Sequence, residues 1–155
     1  MRRVVLRGVG GIVVAYLAIA LFERFAPRRF VRAFQKYVGN PLQRRATGIV
    51  PGFAVIETIG RRTSQPRHVP VGGALRGHTF WLVAGDAHHS NYVRNIEADP
   101  RVRVKVHGRW RTGTARLCPE DNPRKRLMRL NPVNGLFVWI GGRDLVTIRV
   151  DLRKT

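Results

Sequence analysis

The stretch from Phe53 to Val71 limits the possible folds more than any other part of the chain. Phe53 to Ile59 is apolar and rich in β-branched residues, which reads as a buried strand. Gly60 breaks that run, Pro66 cannot donate into a ladder at its own position, and a second extended run covers His68 to Val71. Between the runs stand Arg61, Arg62, Thr63, Ser64, Gln65 and Arg67. A turn with fixed cations, two hydroxyls and backbone N–H groups suits a phosphate or a carboxylate. A solvated basic hairpin tip has the same composition.

Further strands follow. Gly72-Gly73 and Arg76-Gly77 bracket a short one, and His78 to Ala84 forms the next, with Trp81 expected in the core. Ser90 is placed to cap a helix over Asn91 to Ala98, which Asp99-Pro100 ends. Val102, Val104 and Val106 alternate with Arg101, Arg103, Lys105 and His107, the pattern of a half-exposed strand. Gly108 turns the chain into a strand from Trp110 to Leu117, a basic helix spans Pro119 to Leu130, and a last strand runs from Asp144 to Leu152. No long crossover helices separate these strands, so a small barrel is favoured over a doubly wound sheet.

The N-terminal part has a different character. Gly8 to Phe22 is uncharged and spans roughly 22 Å as a helix, short of a ~30 Å hydrocarbon core unless Val4 to Leu6 are included. Basic residues flank it, and no clean small-x-small cleavage site closes it, which favours a retained anchor over a signal peptide. The heavier basic flank is C-terminal, so the main domain is expected on the cytoplasmic side of a cell membrane. Phe30, Phe34, Tyr37 and Val38 recur at helical spacing among Arg29, Arg32 and Lys36, as in a basic amphipathic helix at a membrane surface or an ordinary helix packing those aromatics on the barrel. Residues 42–51 read as a linker.

The chain of 155 residues carries a formal charge of +20, which attracts nucleic acid, anionic lipid or an acidic cofactor alike. No nucleic-acid-binding motif accompanies that charge, and no specific nucleic-acid partner is expected. A single Cys118 excludes an internal disulfide and reads as a buried thiol. His88-His89 with Asp86 lacks a second ligand pair at metal spacing, so no metal is expected.

Ile59-Gly-Arg-Arg-Thr-Ser-Gln-Pro-Arg67 resembles the Thr-Gly-Arg-Lys/Arg-Thr-Gly-x-Pro-Arg signature of the deazaflavin-dependent nitroreductase family. Asn91-Tyr-Val-Arg-Asn-Ile-Glu-Ala-Asp-Pro-Arg-Val-Arg-Val104 is similar to a second family block, Trp-x-x-Asn-Leu-x-Ala-Asn-Pro-x-Val, in the expected order. Members are actinobacterial enzymes that use the deazaflavin coenzyme F420 on a split β-barrel akin to the FMN-binding split barrels. The resemblance implies that Arg61 and Arg62 hold the coenzyme's phosphate and oligoglutamate tail, and that Thr63, Ser64, Gln65 and Pro66 wrap the same region. It further implies Val55, Ile56 and Glu57 as the strand edge beside the coenzyme. Leu82, Val83, Ala84, Gly85 and Asp86 would line the ring, and Tyr92, Val93, Arg94 and Asn95 match the following helix.

Two departures from the family's nitroreductase stand out. Asp86-Ala87-His88 stands where that enzyme has Lys-Gly-Gly, and residues 132–140 lack the tyrosines it has near the substrate. Leu136 to Ile140, Phe137 and Trp139 among them, are too apolar for the surface of a soluble barrel and either pack on the core, line a pocket for a lipophilic acceptor or face lipid. The architecture expected is thus mainly β with short helices: a split β-barrel over residues 53–155, preceded by an N-terminal membrane helix over 1–23 and by an amphipathic helix and linker over 24–52. The function expected is a membrane-associated oxidoreductase moving a hydride between deazaflavin and a quinone, nitro compound or unsaturated lipid. Its partners would be that substrate and membrane lipid, with a homodimer left open. The alternatives are a lipid- or FMN-binding split barrel without deazaflavin turnover, or a basic structural module associated with membrane or nucleic acid.

Overall fold

The computed structural model describes residues 17–35, 37, 52–130 and 132–153. Its centre is six antiparallel strands: β1 (Phe53–Ile59), β2 (Pro66–Arg76), β3 (Thr79–Ala84), β4 (Arg101–Val106), β5 (Arg109–Cys118) and β6 (Val146–Leu152). They close into a barrel in the order β1-β2-β3-β6-β5-β4, with β4 pairing back onto β1. Alternation dictates the interior. Ala54, Ile56 and Thr58 of β1 and Val102, Val104 and Val106 of β4 point inward while their neighbours point out. Ile56, Phe80, Leu82, Val104, Ile148 and Val150 are fully buried together at the centre. Truncating a side chain such as Ile56 to Ala in such a core costs about 2–5 kcal/mol.

β2 is one long strand where the sequence suggested two short ones. Gly72-Gly73 does not end it, because Gly73 lies where β2 and β3 press together: a Cβ there would sit 2.5 Å from the Trp81 carbonyl oxygen and 2.6 Å from Phe80. Pro66 is tolerated at the first position of β2, where it stands opposite Ile59. The β1–β2 register therefore runs unbroken from Ile59↔Pro66 to Phe53↔Gly72.

Short helices fill the connections. α1 (Arg28–Phe34) follows a helical stretch over residues 17–25, α2 (Asn91–Ala98) links β3 to β4, and α3 (Pro123–Leu130) and α4 (Pro132–Gly141) precede β6. Four expectations need correction here. Trp81 is not core, because its position in β3 faces outward, where the Arg126 guanidinium of α3 lies 4.0 Å from the ring centroid. Ser90 precedes α2 but does not cap it, since its hydroxyl donates to the Asp86 carbonyl at 2.7 Å. The basic helix begins only at Pro123, and the last strand only at Val146. The apolar run 136–140 belongs to α4.

The helical stretch 17–25 packs on α4, with Ala20 buried and a Cβ on Gly141 placed 3.2 Å from the Ala20 carbonyl. Arg143 donates to the carbonyls of Glu23 and Ala26, and Arg24 to that of Gly142, fastening the stretch to the barrel. Phe22 meets Phe34 of α1 edge-on at 5.7 Å. Among the described residues no helix is long and apolar enough to cross a membrane. Most of the expected anchor, residues 1–16, and all of the expected linker at 42–51 fall outside the described residues.

Candidate coenzyme cleft

The β1–β2 turn is built on its own hydrogen bonds. Gly60 donates to the Gln65 carbonyl at 2.9 Å, while Thr63 and Ser64 donate back to the Gly60 carbonyl at 3.1 and 2.7 Å. Ser64 takes φ 52°, a left-handed conformation that lets the chain reverse before Pro66. A Cβ on Gly60 would stand 2.8 Å from the Thr63 hydroxyl and 3.2 Å from the Gln65 carbonyl oxygen, so a larger residue there would have to displace the turn's own groups. The N–H groups of Arg62 and Gln65 find no acceptor among the described residues.

α2 holds this turn from the side. The Asn95 side chain is buried and donates to the buried Thr58 hydroxyl of β1 at 3.1 Å. Its carbonyl oxygen accepts from both the backbone N–H and the guanidinium of Arg61, at 3.2 and 3.1 Å. Asn91, one helical turn earlier, accepts a longer contact from the same guanidinium at 3.4 Å. Arg67 donates to the Thr63 hydroxyl at 3.2 Å. Neutral oxygens thus position Arg61 and Arg67 and leave their charge uncompensated.

Between turn and helix lies a cleft of about 580 Å³, lined by Gly60, Arg61, Arg62, Thr63, Pro66, Arg67, His68, Val69, Asn91, Tyr92 and Asn95. Three arginines and a histidine line it, with no carboxylate. Tyr92 is the remaining titratable group, and burial pushes its phenol above the ordinary range, keeping it a neutral hydrogen-bond donor. Three guanidiniums and unpaired backbone N–H groups around an open cleft form a seat for a phosphate or polycarboxylate.

Six of the residues singled out from the sequence meet here: Arg61, Arg62, Thr63, Pro66, Tyr92 and Asn95. Ser64 and Gln65 complete the turn without lining the cleft. Glu57 stands just outside it on β1, with its carboxylate 2.7 Å from His68 Nε2 and 3.3 Å from Arg103. The remaining residues are elsewhere. Ile56, Leu82 and Ala84 point into the barrel by strand alternation and Val93 lies on the inner face of α2, while Val83 is buried on the opposite face of β3 from Leu82; none of them lines the cleft. Val55 is half-buried on the outer side of β1. Gly85 lies against Val138 of α4, Asp86 pairs with His89 at 3.2 Å, and the Arg94 side chain donates to the His88 carbonyl at 2.8 Å. Trp139 is 46% exposed on α4, with Arg124 5.9 Å from its ring. The side chain of Phe137 lies outside the described residues.

Arg67 stands in the anion-binding turn read from the sequence but not among the residues that the resemblance assigned to the coenzyme, and Gly60, His68, Val69 and Asn91 were not singled out at all. Arg67 and Asn91 belong to the two blocks quoted above, so the signal for them was present. His68 carried none, because its place depends on the β1–β2 register. Cys118 is buried, and burial raises its thiol pKa, as an inert thiol requires. Among the described residues no group of three His, Cys, Asp or Glu could hold a metal ion. His88 is bonded instead to Asp144 through both its ring Nδ1 and its backbone N–H.

The sequence model of the F420H(2)-dependent quinone reductase family matches residues 26–138. A solved F420-H2 dependent reductase is similar at 20% identity and TM-score 0.52, over 64% of this chain and 94% of that one. HutZ, a heme storage protein from Vibrio cholerae, is similar at 11% identity and TM-score 0.53, over 74% and 90%. At these identities the structural likeness concerns the fold alone. No match was found among curated proteins.

Proposed function

Because the chain belongs to the F420H(2)-dependent quinone reductase family, whose match runs from residue 26 to 138, we propose that it reduces a lipophilic quinone at a membrane surface. It is an oxidoreductase on the FMN-binding split-barrel fold, and F420 is its cofactor. The residues present suit that cofactor: its acidic groups call for cations free of carboxylate partners, and the cleft offers Arg61, Arg62 and Arg67 in that state. When bound, reduced F420 supplies the hydride.

The chain's own work is binding and orientation. Arg61 and Arg62 hold the phosphate, with Thr63 and the free N–H of Arg62 beside them. Asn95 keeps Arg61 aimed by tying it to the barrel through Thr58. Tyr92 offers a neutral hydroxyl at the cleft wall.

Support for the lipophilic acceptor and the membrane comes from the distribution of exposed apolar side chains. Of ten large exposed hydrophobics among the described residues, nine lie on residues 17–37, α3 and α4: Leu17, Leu21, Phe22, Phe25, Phe30, Tyr37, Met128, Leu136 and Trp139. The same segments carry many arginines and a single acid, Glu23, which is bonded to Gln35 and whose pKa burial raises. Exposed aromatics among cations with no exposed carboxylate suit an anionic bilayer surface. The cytoplasmic face follows from the basic flank of the apolar run.

The observation that carries the proposal is the carboxylate-free cationic cleft. It is tested by titrating the full chain with F420 and then following oxidation of F420H2 by a long-chain and a truncated quinone, with and without vesicles. Saturable binding, with faster turnover of the long-chain quinone on vesicles, is expected. Binding without quinone turnover would remove the acceptor, and no binding would remove the cleft as the coenzyme site.

A further inference from the structure

One cleft residue has a partner that its neighbours lack. His68 lines the cleft between Arg67 and Val69, and its Nε2 sits 2.7 Å from Glu57 Oε2. Glu57 is its cross-strand partner in the β1–β2 register, and the carboxylate side chain is only 11% exposed. The same carboxylate takes Arg103 from β4, which is paired with β1 on the other side. Trp110 of β5 closes the group, with its ring 5.6 Å from His68 and 5.0 Å from the Arg103 guanidinium. Glu57 and Trp110 thus hold one imidazole at the edge of an anion seat, and Arg103 of β4 braces both of them.

Resting on the reading of the cleft as the coenzyme's anion site, we infer that His68 is its titratable ligand. Glu57 holds the imidazole so that its protonated form adds a positive charge beside Arg61, Arg62 and Arg67 when an anion binds. Imidazole is the side chain whose charge changes near neutrality. The arginines stay charged throughout, and Tyr92 is pushed out of this range by burial. The charged groups about His68 are Glu57 on β1, Arg67 next to it on β2, Arg103 on β4 and the arginines of the turn. A bound anion adds negative charge beside the imidazole and favours its protonated form in the complex. By linkage, a group whose charged form is favoured in the complex makes binding take up a proton, and affinity rises as pH falls. The coenzyme would then be held more tightly on the acid side of neutrality.

The test is calorimetric titration of the full chain with F420, and separately with sulfate, between about pH 5.5 and 8.5 in buffers of different ionisation enthalpy. Sulfate is the second probe because it does not itself titrate there. For the wild type, affinity is expected to rise by roughly five-fold or more from about pH 8 to about pH 6, since full linkage of one proton approaches tenfold per pH unit. Proton uptake is expected to fall to near zero in His68→Gln and to persist in His107→Gln, which alters an exposed turn residue outside the cleft. Glu57→Gln keeps the imidazole but removes its anionic partner, so maximal uptake should move to lower pH. It serves as well if His68→Gln folds poorly. A purely structural His68 would leave uptake unchanged in both variants, and that result overturns the inference. Sulfate binding with His68-dependent uptake but no F420 binding would keep the inference and discard the coenzyme reading. Failure of both probes to bind would overturn both.

Discussion

The β1–β2 turn and the connection from β3 to α2 both place charged residues at the end of a barrel strand, yet they dispose of that charge in opposite ways. In the connection the charges are paired within the chain: His88 with Asp144, and His89 with Asp86. Hydrogen bonding to Asp144 raises the His88 pKa, while the bonds from His88 lower that of Asp144. In the turn, Arg61 and Arg67 meet amide and hydroxyl oxygens, and Arg62 has no bonded partner among the described residues. Internal pairs secure a loop and leave little for a ligand. Cations steadied by neutral groups keep their full attraction for one. Asp86 fits this arrangement, because its carboxylate is taken up by His89 within the connection.

The largest effect should come from removing the uncompensated cations. Arg61→Ala combined with Arg62→Ala should weaken F420 binding by about 100-fold or more, as each charge-assisted bond is worth roughly 1.5–3 kcal/mol. A fluorescence or absorbance titration of the folded variant measures it, and unchanged affinity would erase the contrast between the two regions. Next comes the support beneath the turn. Asn95→Ala strands the buried Thr58 hydroxyl and frees Arg61, so a loss of about 1–3 kcal/mol in denaturant stability is expected, together with weaker F420 binding.

The closed connection should respond to pH and not to coenzyme. The folded pKa of His88 lies above its unfolded value, so the pair's contribution is fully present below that unfolded value and fades as pH rises through the folded one. Thermal midpoints of wild type and His88→Gln should therefore differ modestly on the acid side of neutrality and converge on the alkaline side, with F420 affinity equal throughout. The smallest effect on the cleft is expected from Trp139→Ser on α4. F420 affinity and stability should barely change, while turnover of a long-chain quinone on vesicles falls more than that of a truncated one. Equal losses on both quinones with a lowered midpoint would make Trp139 a packing residue.

Much of this was readable from local chemistry. β1 and α2 stand at the expected boundaries, because strict alternation in one and a Pro-bounded polar-apolar period in the other are properties of short windows. The arginine turn was legible for the same reason, since Gly60 and Pro66 fix its ends. What escaped depends on partners distant in sequence. Trp81 looked like core until α3 was seen to lay Arg126 on its outer face. Gly72-Gly73 looked like a strand end because nothing local reveals how closely β3 approaches. The resemblance places Leu82, Val83 and Ala84 beside the coenzyme, yet Leu82 and Ala84 pack into the barrel and Val83 is buried on the opposite face of β3, so none lines the cleft. Glu57 and His68 become a pair only when the hairpin register is known.

The closed barrel also bears on how the cleft comes into being. Its ring is completed by strands far apart in sequence: Glu57 reaches Arg103 across 46 positions, and Thr79 reaches Asp151 across 72. The β1–β2 and β4–β5 hairpins can form locally, but joining them must overcome the entropy of closing long loops. The Arg61 turn can therefore exist in an early hairpin, whereas Glu57's full set of partners waits for β4 to dock. A chain caught before that step would display its arginines without the shaped wall behind them. Coenzyme selectivity should then emerge late in folding, after general attraction for anions is already in place.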